Sequence, residues 1–127
     1  MQDNSKSKMK WVGVAILAVV IVLAVVLLLP KSASSKYKNL EAFARCLTDK
    51  GAVMYGAYWC SHCKAQKAEF GASFKYIKYV ECTDEPKVCE TARVEGYPTW
   101  KIASTTLVGE QLLETLASQT SCFLERK

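Results

Sequence analysis

Two cysteines, Cys60 and Cys63, stand where an apolar, strand-like run (52–57) meets a helix-like run (64–74). No other feature constrains the chain as much. A strand that feeds a helix through such a turn puts the first cysteine at the helix N-terminus. Unpaired N–H groups and the helix dipole there favour a thiolate. A dithiol placed this way can exchange disulfides with other proteins. Cys60, at the helix start and the more exposed of the two, is expected to be the attacking thiolate. Cys63, one turn inward, is expected to resolve the mixed disulfide.

The remaining elements follow from periodicity and from caps. Asn39 can cap a helix whose apolar residues Leu40, Phe43, Ala44 and Leu47 recur at i, i+3, i+4 and i+7, and Gly51 can close it. The run 52–57 reads as a buried strand. Residues 64–74 read as a helix with Ala65, Ala68 and Ala72 on one face. Residues 76–82 are aromatic and β-branched, hence a second strand. Pro86 suits the first position of a short helix through Arg93. Residues 99–103 and 105–108 read as a hairpin, and 110–117 as a last helix packing Leu112, Leu113 and Leu116. The order α-β-α-β-α-β-β-α makes residues 39–127 one α/β domain.

Ahead of it lie a short basic tail (1–10), an apolar run (11–29) and a Ser/Lys linker (30–38). The apolar run carries no charge and would be about 28 Å long as a helix, close to the roughly 30 Å hydrocarbon core of a bilayer. It exceeds the usual apolar core of a cleaved signal peptide, although 32–34 are small residues. A transmembrane anchor is the preferred reading. The net charge of +5 belongs to this part: up to Lys38 there are six Lys and one Asp, and from Asn39 onward eleven basic and eleven acidic residues. The positive charge therefore flanks the span, which argues for anionic lipid headgroups and against nucleic acid. Lysines lie on both sides of the span, so charge alone gives no orientation. All six cysteines follow the apolar run, and an even count in so small a domain suits an oxidising space. The N-terminus is therefore expected to be cytoplasmic and the domain extracytoplasmic.

Trp59-Cys60-Ser61-His62-Cys63 between strand and helix, with Gly96-Tyr97-Pro98-Thr99 later before a strand, resembles the thioredoxin fold: a central mixed sheet of about four strands flanked by helices. The resemblance covers residues 39 to about 120. Residues 54–63 (Met54-Tyr55-Gly56-Ala57-Tyr58-Trp59 and the motif), with Phe74-Lys75-Tyr76-Ile77, Tyr79-Val80-Glu81-Cys82 and Gly96-Tyr97-Pro98-Thr99-Trp100, are similar to the thioredoxin-like domain fused to bacterial and plant homologues of vitamin K epoxide reductase. That resemblance implies a domain that passes disulfides to secreted proteins. It also implies reoxidation by a quinone-linked membrane oxidase of the vitamin K epoxide reductase or DsbB type, here a separate protein. It implies that Pro98 is cis beside the dithiol, presenting the backbone of Tyr97 to a substrate chain. His62 stands just before Cys63, as in the oxidant DsbA, and can tune the Cys60 thiolate. The rival reading of His62 is a solvent-exposed residue with no such role. Thioredoxins carry a buried acid six residues before the first motif cysteine, where this chain has Met54. That departure leans away from reductase activity.

Trp59 and Tyr97 can form an apolar platform for unfolded substrate, beside their packing role. Lys64 and Lys67 read as a solvated helix face. The other four cysteines allow a second, relaying redox pair or two structural disulfides, Cys82–Cys89 and Cys46–Cys122; the structural reading is preferred. A zinc site from Cys60, Cys63, Cys82 and Cys89 suffers from the long spacing of its second pair. No cofactor beyond the dithiol and no metal is expected. The expected function is a membrane-anchored thiol–disulfide oxidoreductase acting on thiol-bearing proteins. Its rivals are an extracytoplasmic reductase, for example in cytochrome c maturation, a non-enzymatic metal-binding or carrier module, and a domain with an inert disulfide.

Overall fold

The computed structural model describes residues 4–28 and 35–127, with side chains described from Trp11 onward. These fall into two units, a helix and a folded domain. Helix α1 spans Asn4–Leu28. It starts within the stretch read as a polar tail, because a nucleated helix extends through Ser, Lys and Met at little cost. Its side chains from Trp11 to Leu28 are exposed and apolar on every side. The helix is long and apolar enough to cross a membrane. Leu29 and the first part of the expected linker, residues 30–34, lie outside the described residues.

The domain runs α2 (Leu40–Asp49), β1 (Val53–Gly56), α3 (Ser61–Phe70), a 3-10 turn (Gly71–Tyr76), β2 (Lys78–Glu81), α4 (Pro86–Thr91), β3 (Thr99–Ile102), β4 (Thr105–Val108) and α5 (Leu113–Thr120). The strands form one mixed sheet in the order β2-β1-β3-β4, with β1 and β2 parallel and the other two pairs antiparallel. This is the expected thioredoxin fold. Strand β1 is central, so both of its faces are covered: Met54 and Gly56 are buried, Val53 and Tyr55 half-buried.

On one face, Met54 stands level with Tyr79 of β2 and Trp100 of β3. Phe70 of α3 lies 6.0 Å from Trp100 and stacks on Phe43 of α2 at 6.1 Å between ring centroids. Leu47, Leu113 and Leu116 complete this core. Such aromatic pairs contribute about 0.5–1.5 kcal/mol each beyond the area they bury.

Several boundaries differ from the sequence reading, each for a physical reason. Helix α3 starts at Ser61 because Cys60 caps it, and it ends at Gly71, whose φ of +54° breaks the helix. Its buried residues are Cys63, Gln66 and Phe70, whereas Ala65, Ala68 and Ala72 are exposed. The alanines are thus good helix formers on a solvent face, and the inward face is set by the cysteine that must reach the core. Helix α5 begins at Leu113, so Leu112 lies outside it and is 64% exposed. Asn39 occupies the N-cap of α2 without a capping bond. Its side chain instead donates to Phe123 O at 3.0 Å and accepts from Glu125 N at 2.8 Å. Lys36–Lys38, read as linker, belong to the domain. Tyr37 is buried and bridges Arg126, Lys38 N donates to Glu125 O, and Lys127 N donates to Lys36 O.

Candidate active site

Strand β1 ends at Gly56, the backbone turns through Tyr58 and Trp59, and α3 begins at Ser61. Cys60 takes the N-cap position with extended backbone angles, φ −74° and ψ 121°. Its Sγ accepts the N–H of Cys63 at 3.4 Å. A sulfur therefore does what a serine or aspartate oxygen does at other helix starts: it satisfies the orphan N–H at the third helical position. The bond and the helix dipole both favour negative charge on that sulfur. Cys60 Sγ also lies 3.7 Å from Tyr97 O. The Tyr97–Pro98 peptide is cis.

Neither Cys60 nor Cys63 is bonded to another cysteine. Their environments are unequal. Cys60 is 8% exposed and Cys63 not at all. Burial pushes the Cys63 thiol up to about 11; a hydrogen bond from the Ala57 backbone opposes this, and Cys60 adds to it. The folded chain therefore keeps a proton that an ordinary thiol, at 9.0, releases. Stability from this source is full below pH 9 and lost as pH rises through about 11. In a Cys60→Ser background, the urea midpoint is accordingly expected to fall more steeply above pH 9 than in Cys60→Ser/Cys63→Ser. Parallel falls in the two proteins would show that Cys63 does not carry the effect.

Gly56 is a site residue that sequence reasoning missed. A Cβ there would lie 2.8 Å from Cys63 Sγ and 3.2 Å from the Tyr79 ring and hydroxyl. Its signal in the sequence was a glycine inside a strand run, which often marks a close approach of other atoms. Gly56→Ala is expected to cost about 1–3 kcal/mol by overpacking and to slow exchange by displacing Cys63. Equilibrium denaturation and a thiol-exchange rate measure the two effects, and an unchanged midpoint would refute the overpacking.

The rim of the site is aromatic. Trp59 is 59% exposed, meets Tyr97 edge-on at 5.9 Å, and donates from Nε1 to Thr83 Oγ1 at 3.2 Å. His62 sits on the first turn of α3, exposed, with Nδ1 paired to the Glu110 carboxylate. Glu110 precedes Gln111, whose backbone is tied to α3 through the buried Gln66. Gln66 Oε1 accepts from Gln111 N at 2.7 Å and from Trp100 Nε1 at 3.2 Å, while its Nε2 donates to Gln111 O at 3.0 Å. One buried amide thus fixes the segment that carries the partner of His62. Lys67 is not simply a solvated side chain, since its Nζ lies 3.6 Å over the Tyr79 ring.

The remaining cysteines form two disulfides, Cys46–Cys122 and Cys82–Cys89; Cys82, Cys89 and Cys122 are buried and Cys46 half-buried. Cys82 and Cys89 bonded to each other cannot serve as thiolate ligands, so the four-cysteine zinc arrangement does not match the structure. Among the described residues, no group of three or more His, Cys, Asp or Glu is placed to hold a metal ion.

Comparison with known proteins agrees with this geometry. The family described as Thioredoxin matches residues 34–119. The chain belongs to the thioredoxin family. It is 43% identical over 104 residues to the thiol-disulfide oxidoreductase LTO1 of Arabidopsis thaliana, covering 75% of this chain and 27% of that protein. It is 42% identical over 60 residues to protein disulfide isomerase-like 2-2 of Oryza sativa subsp. japonica, covering 40% of this chain and 16% of that protein. With the protein disulfide-isomerase of Humicola insolens it shares 40% over 53 residues, covering 36% of this chain and 10% of that protein. The chain thus spans about a quarter or less of the length of these relatives. Its thioredoxin domain fits a thiol–disulfide oxidoreductase.

Proposed function

We propose that this protein is a membrane-anchored thiol–disulfide oxidoreductase that donates disulfides to exported proteins. The observation that carries the reading is the Cys60 sulfur at the helix N-cap, accepting the Cys63 N–H. A substrate thiolate attacks Cys60 Sγ and breaks the Cys60–Cys63 bond, and Cys63 leaves and takes up a proton. A second substrate thiolate then attacks the substrate sulfur of the mixed disulfide. The substrate disulfide forms, and Cys60 leaves as a thiolate held by the N–H of Cys63 and the helix dipole. The substrate is oxidised by two electrons and the dithiol is reduced by two. Stabilising the leaving thiolate makes the disulfide a stronger oxidant.

Met54, fully buried beside Trp100 and Tyr79, stands where a reductase of this fold carries an acid. Trp59 and Tyr97 offer the substrate an apolar rim, and His62 adds to the field at Cys60. The dithiol needs no further cofactor.

Helix α1 supplies the anchor in this reading, and the lysines flanking the apolar segment favour anionic headgroups. Two further disulfides suit an oxidising space, so the N-terminus is cytoplasmic and the domain extracytoplasmic. Reoxidation then falls to a quinone-linked membrane oxidase of the vitamin K epoxide reductase or DsbB type, a partner drawn from the sequence resemblance.

The reduction potential of the Cys60–Cys63 couple tests the direction. It is expected above about −200 mV, on the side of DsbA at about −120 mV and not of thioredoxin at about −270 mV. A value near thioredoxin's, with no oxidation of a reduced model protein such as ribonuclease, would make the protein a reductase instead.

A further inference from the structure

Cys63 has no contact with solvent, yet it must gain or lose a proton each time the dithiol turns over. Met54, on the same sheet face, has no group that can carry one. The atoms bordering the gap above Gly56 do. A Cβ at Gly56 would lie 2.8 Å from Cys63 Sγ and 3.2 Å from the Tyr79 hydroxyl. Sulfur and hydroxyl thus face one small space, kept open because residue 56 has no side chain.

The Tyr79 hydroxyl donates to Glu81 Oε2 at 2.7 Å. The Tyr79 ring packs edge-on against Phe74, at 5.7 Å between centroids, and carries Lys67 Nζ over it at 3.6 Å. Glu81 is half-buried, and its other oxygen accepts from Thr83 N at 3.2 Å. The chain of groups therefore leads from a sealed sulfur to a carboxylate at the surface.

We propose that Tyr79 and Glu81 form a proton relay for Cys63, a role that rests on the exchange chemistry proposed above. When Cys63 attacks the Cys60 sulfur of a mixed disulfide, its proton passes to the Tyr79 oxygen as the hydroxyl proton passes to Glu81. The Cys60–substrate bond breaks, and the electron pair leaves on the substrate sulfur. When Cys63 is instead the leaving group, the same relay runs backward: Tyr79 protonates the departing thiolate and is refilled from solvent through Glu81. Tyr79 is neutral before and after each passage.

The charge states suit this. Burial, and then the Glu81 carboxylate, hold the Tyr79 hydroxyl protonated. Burial alone would raise the Glu81 carboxyl, but hydrogen bonds from Tyr79, Thr83 and the Tyr58 backbone outweigh it and keep Glu81 ionised and able to accept. Lys67 from α3 and Cys60 are the other titratable groups acting on this pair of thiol and hydroxyl.

The test is stopped-flow reaction of the reduced full-length chain, in detergent, with 5,5′-dithiobis(2-nitrobenzoate). The reagent releases one thionitrobenzoate as Cys60 attacks it and a second as Cys63 resolves the adduct. Tyr79→Phe is expected to slow the second phase about 100-fold at pH 7, the lower end of general acid–base effects. The deficit should shrink toward pH 10, as the Cys63 thiol comes closer to ionising ahead of its attack. Glu81→Gln should show the same pattern with a smaller amplitude, and its half-exposed site keeps the test available should Tyr79→Phe fail to fold. A second phase of unchanged rate, or one slowed by the same factor at every pH, would overturn the relay. A wild-type chain with no first phase would overturn the exchange reading itself, and the relay with it.

Discussion

Replacing Cys63 by serine is expected to leave the protein covalently attached to its substrates through Cys60. The mixed disulfide still forms, because the Cys60 sulfur keeps its N-cap position and the backbone N–H of residue 63. The intramolecular route that would release it is gone. Non-reducing electrophoresis should show higher-mass adducts that collapse on reduction, and the proteins released would name substrates and partner.

The reciprocal variant, Cys60→Ser, is expected to lose exchange almost completely. The remaining sulfur is sealed from solvent, with its thiol pushed up to about 11. At pH 7 such a thiol offers roughly 100-fold less thiolate than an ordinary one at 9.0, before access is considered. Exchange that survives Cys60→Ser would remove Cys60 from the role of nucleophile.

The second large effect is on stability. The Cys46–Cys122 bond closes a loop with a sequence separation of 76, tying α2 to the segment after α5. In the chain-entropy treatment a loop of that size stabilises by about 4–5 kcal/mol, a large share of the 5–15 kcal/mol typical of a whole domain. The double variant Cys46→Ala/Cys122→Ala is expected to melt roughly 20 °C lower. The Cys82–Cys89 bond, with a separation of only 7, should matter less, about 2–3 kcal/mol by the same relation. Calorimetry on the two double variants compares them directly. A larger loss from removing Cys82–Cys89 would mean that local packing of the β2–α4 connection, and not loop closure, sets the contribution.

The parts of the fold legible in the sequence were those with strong periodicity or punctuation. Helix α2 was readable from Leu40, Phe43, Ala44 and Leu47, all of which are buried, and from Gly51, whose φ is +79°. The strand-to-helix junction was readable because two cysteines mark it. The inward face of α3 was not. It includes Gln66, a polar residue buried for its hydrogen bonds to Trp100 and Gln111, and no hydrophobic pattern announces a residue whose reason to be inside is an amide.

The start of α5 shifted for the same cause, since Gln111 is spent on Gln66 and cannot belong to the helix. The acid missing at Met54 was visible as an absence. That an acid approaches Cys63 through Tyr79 depends on the register of β1 against β2, which places Gly56 beside Glu81. Pairing across strands is non-local information that a single pass along the chain does not contain. The closing of the N-terminal edge of the domain by residues 125–127 escaped for the same reason.

The near-burial of Cys60 bears on which proteins can react with it. A sulfur that is 8% exposed, with Tyr97 O at 3.7 Å and the Trp59 and Tyr97 rings at its rim, leaves little room for an approaching thiol. A cysteine fixed on a folded surface brings its neighbours with it and collides before the sulfurs meet. A cysteine on a slack, extended segment can slip in alone. If the exchange proposed above operates, a site this closed sorts its clients by mobility and not by amino-acid sequence: chains still being folded would be admitted, and a domain closed around its own cysteines would not.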